Sequence, residues 1–192
     1  MSTYDKMMNR LQYTYQFSNS EIAQMDYTLK VVFYELSKFL FFSLFFLYVH
    51  KFQEFLVCII VMLPFRWIAG GLHLKHFWSC FLFSFFYLGT TIFLLNSIEV
   101  SREFQIISLM IGNIVFFVTG PVTSPKRKPM KKERYIRLRI LSSLILFIFT
   151  IIFLTVKNIP CKNICYWVII LQIIQLFCAK LARKGDIYEK DQ

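Results

Sequence analysis

Two histidines and a cysteine lie close together between residues 66 and 80. His73, His76 and Cys80 follow one another at spacings of three and four residues, and cysteine with histidine is the residue pair of thiol-based nucleophilic catalysis. The thiolate attacks a carbonyl carbon, and the histidine favours the thiolate and later returns a proton to the leaving group. This segment is therefore the candidate for covalent chemistry, whereas an isolated cysteine in an apolar run usually serves packing.

The spacing alone leaves the identity of the base open. In a continuous helix, His73 would lie about 10.5 Å along the axis from Cys80, which is too far for a hydrogen bond. His76 would lie on the same helical face as Cys80. However, Gly70 and Gly71 precede His73 and permit a sharp bend that would fold His73 back toward the cysteine. Both histidines are therefore candidates.

Other polar groups near this segment have less specific roles. Arg66 is a candidate to orient a substrate carboxylate or to stabilise an oxyanion, and an anchor at the membrane interface is an equal alternative. No third catalytic residue follows from spacing, and Glu35 and Asn113 are candidates because they lie in or near apolar runs. Neither a metal nor another cofactor is expected, since the segment offers three ligands and His50 is the one other histidine.

The elements that position these residues are predicted to be membrane helices. The chain has 192 residues, of which 57% are hydrophobic and 17% charged, and this composition leaves too little polar surface to cover a water-soluble domain. The sequence predicts an all-α polytopic membrane protein, a single transmembrane domain over residues 1–192 with about six transmembrane helices. The five cysteines imply no disulfide framework.

Apolar runs of roughly 17 to 25 residues can cross the hydrocarbon as helices. Residues 36–49 are expected to span because apolar residues from position 29 lengthen the run. Residues 55–65 are short and contain Pro64, so five spans with one re-entrant segment are the alternative to six. Four further runs are predicted to span: residues 77–97, 104–125, 140–156 and 163–179.

The basic residues predict the orientation of the chain. With six crossings, 18 of the 22 Lys and Arg residues fall on the side of both termini, and 4 fall on the other side. Because retained Lys and Arg mark the cytoplasmic face, both termini and the basic loop at residues 126–139 are expected in the cytoplasm. Residues 1–28 are expected to form an amphipathic segment with a capping box at Ser18 and Glu21, which lies on the membrane or packs on the bundle. The alternative is that this segment is a docking surface for a helical partner.

Four residues stand in a pattern that resembles a known family. Arg66, Gly71, His73 and Cys80 have the spacing Arg-x4-Gly-x-His-x6-Cys. This pattern, the six-span profile and the basic, proline-containing stretch at residues 121–129 are similar to those of the AgrB family, the accessory gene regulator B proteins of Gram-positive quorum-sensing systems. The resemblance covers nearly the whole chain.

The resemblance implies a membrane cysteine endopeptidase. Such a protein cleaves the C-terminal tail of an AgrD-type propeptide through a cysteine thioester and promotes cyclisation of the product to a thiolactone. In family terms Cys80 is the nucleophile and His73 the base, which requires a non-helical connection over residues 70–74. The chain differs from well-known members by Gly70, where a histidine can occur, and by the additional His76, so a supporting role of His76 is open.

The expected partners are the AgrD-type propeptide and membrane lipid. A homodimer is possible, and no nucleic-acid partner is expected. Under the resemblance the basic loop attracts an acidic propeptide tail, and the alternative is that it fixes topology and contacts anionic lipid. The non-enzymatic alternative for the whole chain is a small peptide transporter or export subunit, although the halves show no internal repeat. The residues expected to bind the tail are Lys126, Arg127, Lys128, Lys131 and Lys132.

Overall fold

The computed structural model describes residues 3–71, 77–122, 130–156 and 161–182. These residues form α-helices joined by short connections, and the predicted all-α class is confirmed. The helices are α1 (Thr3–Tyr15), α2 (Asn19–Tyr48), α3 (Phe52–Ile68), α4 (Phe77–Gly89), α5 (Arg102–Thr119), α6 (Lys132–Thr155) and α7 (Lys162–Ala182).

Within the described residues, five helical segments are long and apolar enough to cross a membrane, so the chain is a multi-pass membrane protein. They are α2, α5, α6, α7 and the segment Phe77–Ser97, in which α4 continues through a π-helical turn (Thr90–Leu94) and a 3-10 turn (Leu95–Ser97). In contrast, α3 has 17 residues, includes Pro64 and is about 26 Å long. It lies at the lower limit for a full crossing, as the sequence indicated for residues 55–65.

Two boundaries differ from the predicted spans for local reasons. α5 ends at Thr119, six residues before the predicted end at position 125, because Gly120 turns the chain with φ 65° and Pro121 follows. α2 begins as early as Asn19, directly after Ser18, the first residue of the predicted capping box. This box is confirmed, since Glu21 N–H donates to Ser18 Oγ at 3.3 Å and Ser18 N–H donates to Glu21 Oε2 at 2.9 Å.

The chain divides into two compact units, residues 1–45 and residues 46–192. The first unit contains α1 and most of α2, which meet at Gln16 with φ 52°. Along α2, ion pairs one turn apart join Asp26 to Lys30 and Glu35 to Lys38, so these two carboxylates are neutralised locally.

α7 is the central helix of the second unit. Ten of its residues are buried, and it packs against α3, α5 and the irregular end of the α4 segment. The closest approach is at Gly112 of α5, where a Cβ atom would lie 2.5 Å from Ile173 Cδ1. Tyr87 Oη donates to Val168 O at 3.0 Å and joins the α4 segment to the same helix.

Side chains from distant parts of the chain satisfy the ends of these helices. At the end of α5, Arg139 Nε donates to Phe117 O, and Lys180 Nζ donates to Val118 O at 2.8 Å. At the opposite end, Arg102 Nη2 donates to Leu154 O at 2.6 Å. Asn163 Nδ2 similarly contacts three carbonyls of the 95–98 turn at 2.6 to 3.3 Å. Because terminal carbonyls have no partner within their own helix, these contacts fix the helix ends to one another.

Candidate active site at the Gly70 bend

The chain leaves α3 through a sharp bend at Gly70. α3 ends at Ile68, Ala69 N–H donates to Phe65 O at 2.8 Å, and Gly70 has φ 76°, in the left-handed region that favours glycine. The predicted non-helical connection is therefore confirmed at Gly70 and Gly71. The rest of that connection, including His73 and the additional His76, lies outside the described residues.

The two glycines have different surroundings. A Cβ atom at Gly70 would lie 2.1 Å from Val122 O, which no real side chain tolerates, and positive φ adds strain to any such substitution. Gly71 does not have a positive φ, and its Cβ would lie 3.4 Å from Gln175 Nε2, in ordinary contact. The residue that makes the bend is thus Gly70, although the family-like pattern contains Gly71.

The α5–α6 connection lies against the bend. Val122 N–H donates to Ala69 O at 2.8 Å, and Gly70 and Val122 form an isolated parallel β-bridge. Gly120, two residues earlier, contacts Tyr135 of α6 so closely that a Cβ would lie 2.4 Å from Tyr135 Oη. The backbone that leads toward the basic loop is therefore held against the backbone that leads toward the histidines.

Cys80 lies in the first turn of α4 and is half-buried. It forms no disulfide, and neither do the other four cysteines. Aromatic rings surround its turn: the ring centroids of Phe77 and Trp78 are 5.4 Å apart, and those of Trp78 and Phe81 are 6.0 Å apart. Trp78 is 70% exposed. Cys80 therefore lies in a turn rich in aromatic side chains, one of which is largely exposed.

The remaining predicted site residues lie at the end of α3, at the start of α6 or outside the described residues. Arg66 is half-buried in the last turn of α3, four residues before Gly70. Lys131 and Lys132 are exposed at the start of α6, where Lys131 is the N-cap residue. Lys126, Arg127 and Lys128 lie outside the described residues.

Two buried glutamine side chains of α7 lie against the bend. Gln172 and Gln175 are 1% and 5% exposed, and Gln172 Nε2 donates to Gly70 O at 3.4 Å. Neither glutamine was among the residues predicted from the sequence. Their signal was available, because two glutamines three residues apart in an apolar span are costly in hydrocarbon and lie on one helical face.

The polar residues that the sequence did suggest in the spans have other contacts. Asn113 Nδ2 donates to Leu109 O at 2.9 Å and to Thr150 Oγ1 at 3.0 Å, which joins α5 to α6. Glu35 forms an ion pair with Lys38 in the first unit. Asn113 thus has a structural contact between helices.

Comparison with known proteins assigns the chain to a family. The family described as Accessory gene regulator B matches residues 4–176. An AgrB-like protein of Clostridium beijerinckii is 29% identical over 172 residues, which cover 89% of this chain and 83% of that protein. No solved structure is a significant match. The chain therefore belongs to the AgrB family, the accessory gene regulator B proteins of quorum-sensing systems.

Proposed function

We propose that the chain is a membrane cysteine endopeptidase that processes an AgrD-type propeptide, with Cys80 as nucleophile and His73 as base. The observation that carries the proposal is the bend at Gly70, where φ is 76° and α3 has already ended at Ile68. A base seven residues before the nucleophile cannot reach it along a continuous helix. A break in the helix ahead of His73 removes this obstacle, and Cys80 follows in the first turn of α4.

The reaction proceeds by two acyl transfers. The Cys80 thiolate attacks the scissile carbonyl carbon, and the carbon–nitrogen bond breaks as His73 donates a proton to the departing amine of the tail. The thiol of a propeptide cysteine then attacks the acyl-thioester, passes its proton to the histidine and displaces the Cys80 thiolate. One thioester replaces another, so the thiolactone forms without an added energy source.

The second transfer requires that water does not hydrolyse the first thioester. Phe77, Trp78 and Phe81 lie next to Cys80 in the first turns of α4, and their apolar surface limits the access of water. Arg66 is proposed to orient a carboxylate or to stabilise the oxyanion from the last turn of α3. The orientation proposed with this site places both termini and the basic loop in the cytoplasm.

Replacement of the nucleophile tests the proposal. Cys80→Ala should abolish cleavage of a co-expressed AgrD-type propeptide while the protein still inserts into the membrane, as measured by immunoblot and mass spectrometry. Cys178→Ala, a change at another spanning cysteine that is exposed, should leave cleavage intact. If the Cys80→Ala variant still cleaves, the peptidase proposal is wrong, and uncleaved propeptide outside the cell would favour the export alternative.

A second pair of variants tests which of the two histidines is the base. His73→Ala should abolish processing, and His76→Ala should leave much of it, because the resemblance assigns the base to His73 and the bend at Gly70 breaks the helix ahead of that residue. Cleavage that survives His73→Ala and is lost in His76→Ala would reject His73 as the base. The reaction of the thiol with an alkylating agent, measured against pH in both variants, provides an independent readout of which histidine activates it.

The exposed residues Lys131 and Lys132, with Lys126, Arg127 and Lys128, are proposed to attract the acidic tail. Changing the last three to Gln should weaken propeptide binding, and added salt should weaken binding to the unmodified chain, because exposed charges are screened within about 10 Å at 0.1 M. Binding that is unchanged while the topology is altered would assign the basic residues to membrane orientation alone.

A further inference from the structure

Two glutamines of α7 have hydrogen-bonding atoms that no described residue uses. Both Oε1 atoms and Gln175 Nε2 are buried without a partner in the described part of the chain. The fourth amide atom, Gln172 Nε2, donates to Gly70 O at 3.4 Å, the upper limit of a hydrogen bond. A buried polar atom without a partner loses its hydration and gains nothing in exchange, so three together at one place require an explanation.

These atoms lie at the bend. A Cβ atom at Gly71 would be 3.4 Å from Gln175 Nε2 and 3.9 Å from Gln172 Nε2, and Gly71 is itself buried. The other buried polar atoms without a partner in the described residues belong to Ser43, Ser84 and Gln105. Gln105 is in the first turn of α5, at the opposite end of the helix from Gly120. The α7 amides are therefore a cluster at the proposed active site.

The unused atoms are complementary to a peptide main chain. The two Oε1 atoms accept N–H groups, and the NH2 group of Gln175 donates to a carbonyl, while each peptide residue offers one N–H and one C=O. We propose, resting on the peptidase function above, that Gln172 and Gln175 are a recognition site for the main chain of an extended propeptide segment. The Gly70–Gly71 backbone lies against the amides, and among the described residues one long hydrogen bond joins it to α7, so a peptide that parts the bend from α7 breaks that bond while Gly70 keeps its bridge to Val122.

The variant Gln175→Leu tests this proposal. Leucine is close to glutamine in size and has no polar atoms, so removing an amide without partners should keep or raise the melting temperature in detergent. Propeptide affinity, measured with a synthetic AgrD-type propeptide in a Cys80→Ala background, should fall about tenfold because a main-chain contact is lost. Gln105→Leu is the matched control, because Gln105 is 6% exposed and its Oε1 atom has no partner among the described residues. The propeptide affinity of this control variant should not change.

An amide-to-ester scan of the synthetic propeptide locates the contact. An ester removes one main-chain N–H, and at the position that meets Gln175 it should weaken binding about tenfold in the Cys80→Ala chain and have no further effect when Gln175→Leu is added. If Gln175→Leu does not accumulate, Gln172→Leu carries the same test.

The recognition site would be refuted if the leucine variant bound the propeptide with unchanged affinity. It would also be refuted if, at every ester position, the loss of affinity from the ester added to the loss from Gln175→Leu. Failure of the peptidase function gives a different result, because the unmodified chain would then bind the propeptide without cleaving it. A cleaving chain whose affinity is insensitive to the leucine substitution would therefore refute this inference alone.

Discussion

Gly70 and Gly71 are adjacent in the sequence but differ in what they tolerate. Gly70 combines φ 76° with a carbonyl oxygen 2.1 Å from the place of a Cβ, whereas a Cβ at Gly71 would meet only the end of a flexible glutamine side chain. A side chain at Gly70 must therefore open the contact between the two connections. The same change at Gly71 requires only a small shift of Gln175.

We expect Gly70→Ala to lower the free energy of unfolding by at least about 1–2 kcal/mol, since left-handed backbone and overlap with Val122 O both oppose the methyl group. Propeptide processing should fall with it. The measurements are the melting temperature in detergent and the cleavage yield, with Gly71→Ala as the control. Equal tolerance of alanine at both positions would show that the bend at Gly70 is not required.

The sequence predicted the bend but not the residue that makes it. Two consecutive glycines indicate a flexible connection, and which of them takes positive φ depends on Val122, about fifty positions later in the chain. The spacing of Gln172 and Gln175 in an apolar span marks them as unusual, but their contact with Gly70 and Gly71, a hundred residues away, could not be predicted from it. Long-range contacts of this kind are not encoded in local spacing.

At the scale of helices, the C-terminus of α5 shows how elements are held together. Its last carbonyls accept from Arg139 of α6 and Lys180 of α7, and the Arg139 guanidinium also lies 4.3 Å from the centroid of the Phe117 ring. Cations are favourable at helix C-termini because of the helix dipole. Both cations therefore stabilise α5 while they fix the positions of two other helices.

Arg139→Gln should destabilise the bundle by about 1–2 kcal/mol, because a carbonyl of α5 loses its charged partner in a membrane. Arg137→Gln removes the same charge from an exposed position of the same helix and should have little effect. Thermal unfolding in detergent gives the comparison. Equal melting temperatures for the two variants would contradict the capping role of Arg139.

Apolar length predicted the helices well and their ends less well. The spans at residues 77–97, 140–156 and 163–179 correspond to helical segments, since the bilayer requirement acts on composition directly. The predicted span at residues 104–125 is too long because Gly120 and Pro121 end α5 within an apolar run. Hydropathy does not reveal where such a helix ends, whereas the turn-forming residues Gly120 and Pro121 do.

At the scale of the molecule, α5 and α6 place charged residues at opposite ends of the second unit. Glu103 lies in the first turn of α5, next to Arg102, whose guanidinium contacts the end of α6 at Leu154. Lys131 caps the start of α6 at the other end. The proposed orientation assigns the Lys131 end to the cytoplasm.

Single cysteines at Lys131 and Glu103, in a chain whose five cysteines are replaced by alanine, should react differently with an impermeant maleimide on intact cells. Glu103→Cys should be labelled and Lys131→Cys should be protected until the cells are permeabilised, because 18 of 22 basic residues lie on the side assigned to the cytoplasm. The reverse pattern would invert the topology.

The contacts of α7 have a consequence for biosynthesis. It is the last described helix to leave the ribosome, and it supplies Asn163 to the turn at residues 95–98, Gln172 to Gly70 and Lys180 to Val118. A nascent chain that stops before residue 162 contains the apolar helices α2 to α6, but each of these backbone groups still lacks its partner. The centre around the bend is thus assembled only after α7 has been translated and has entered the membrane beside its earlier neighbours.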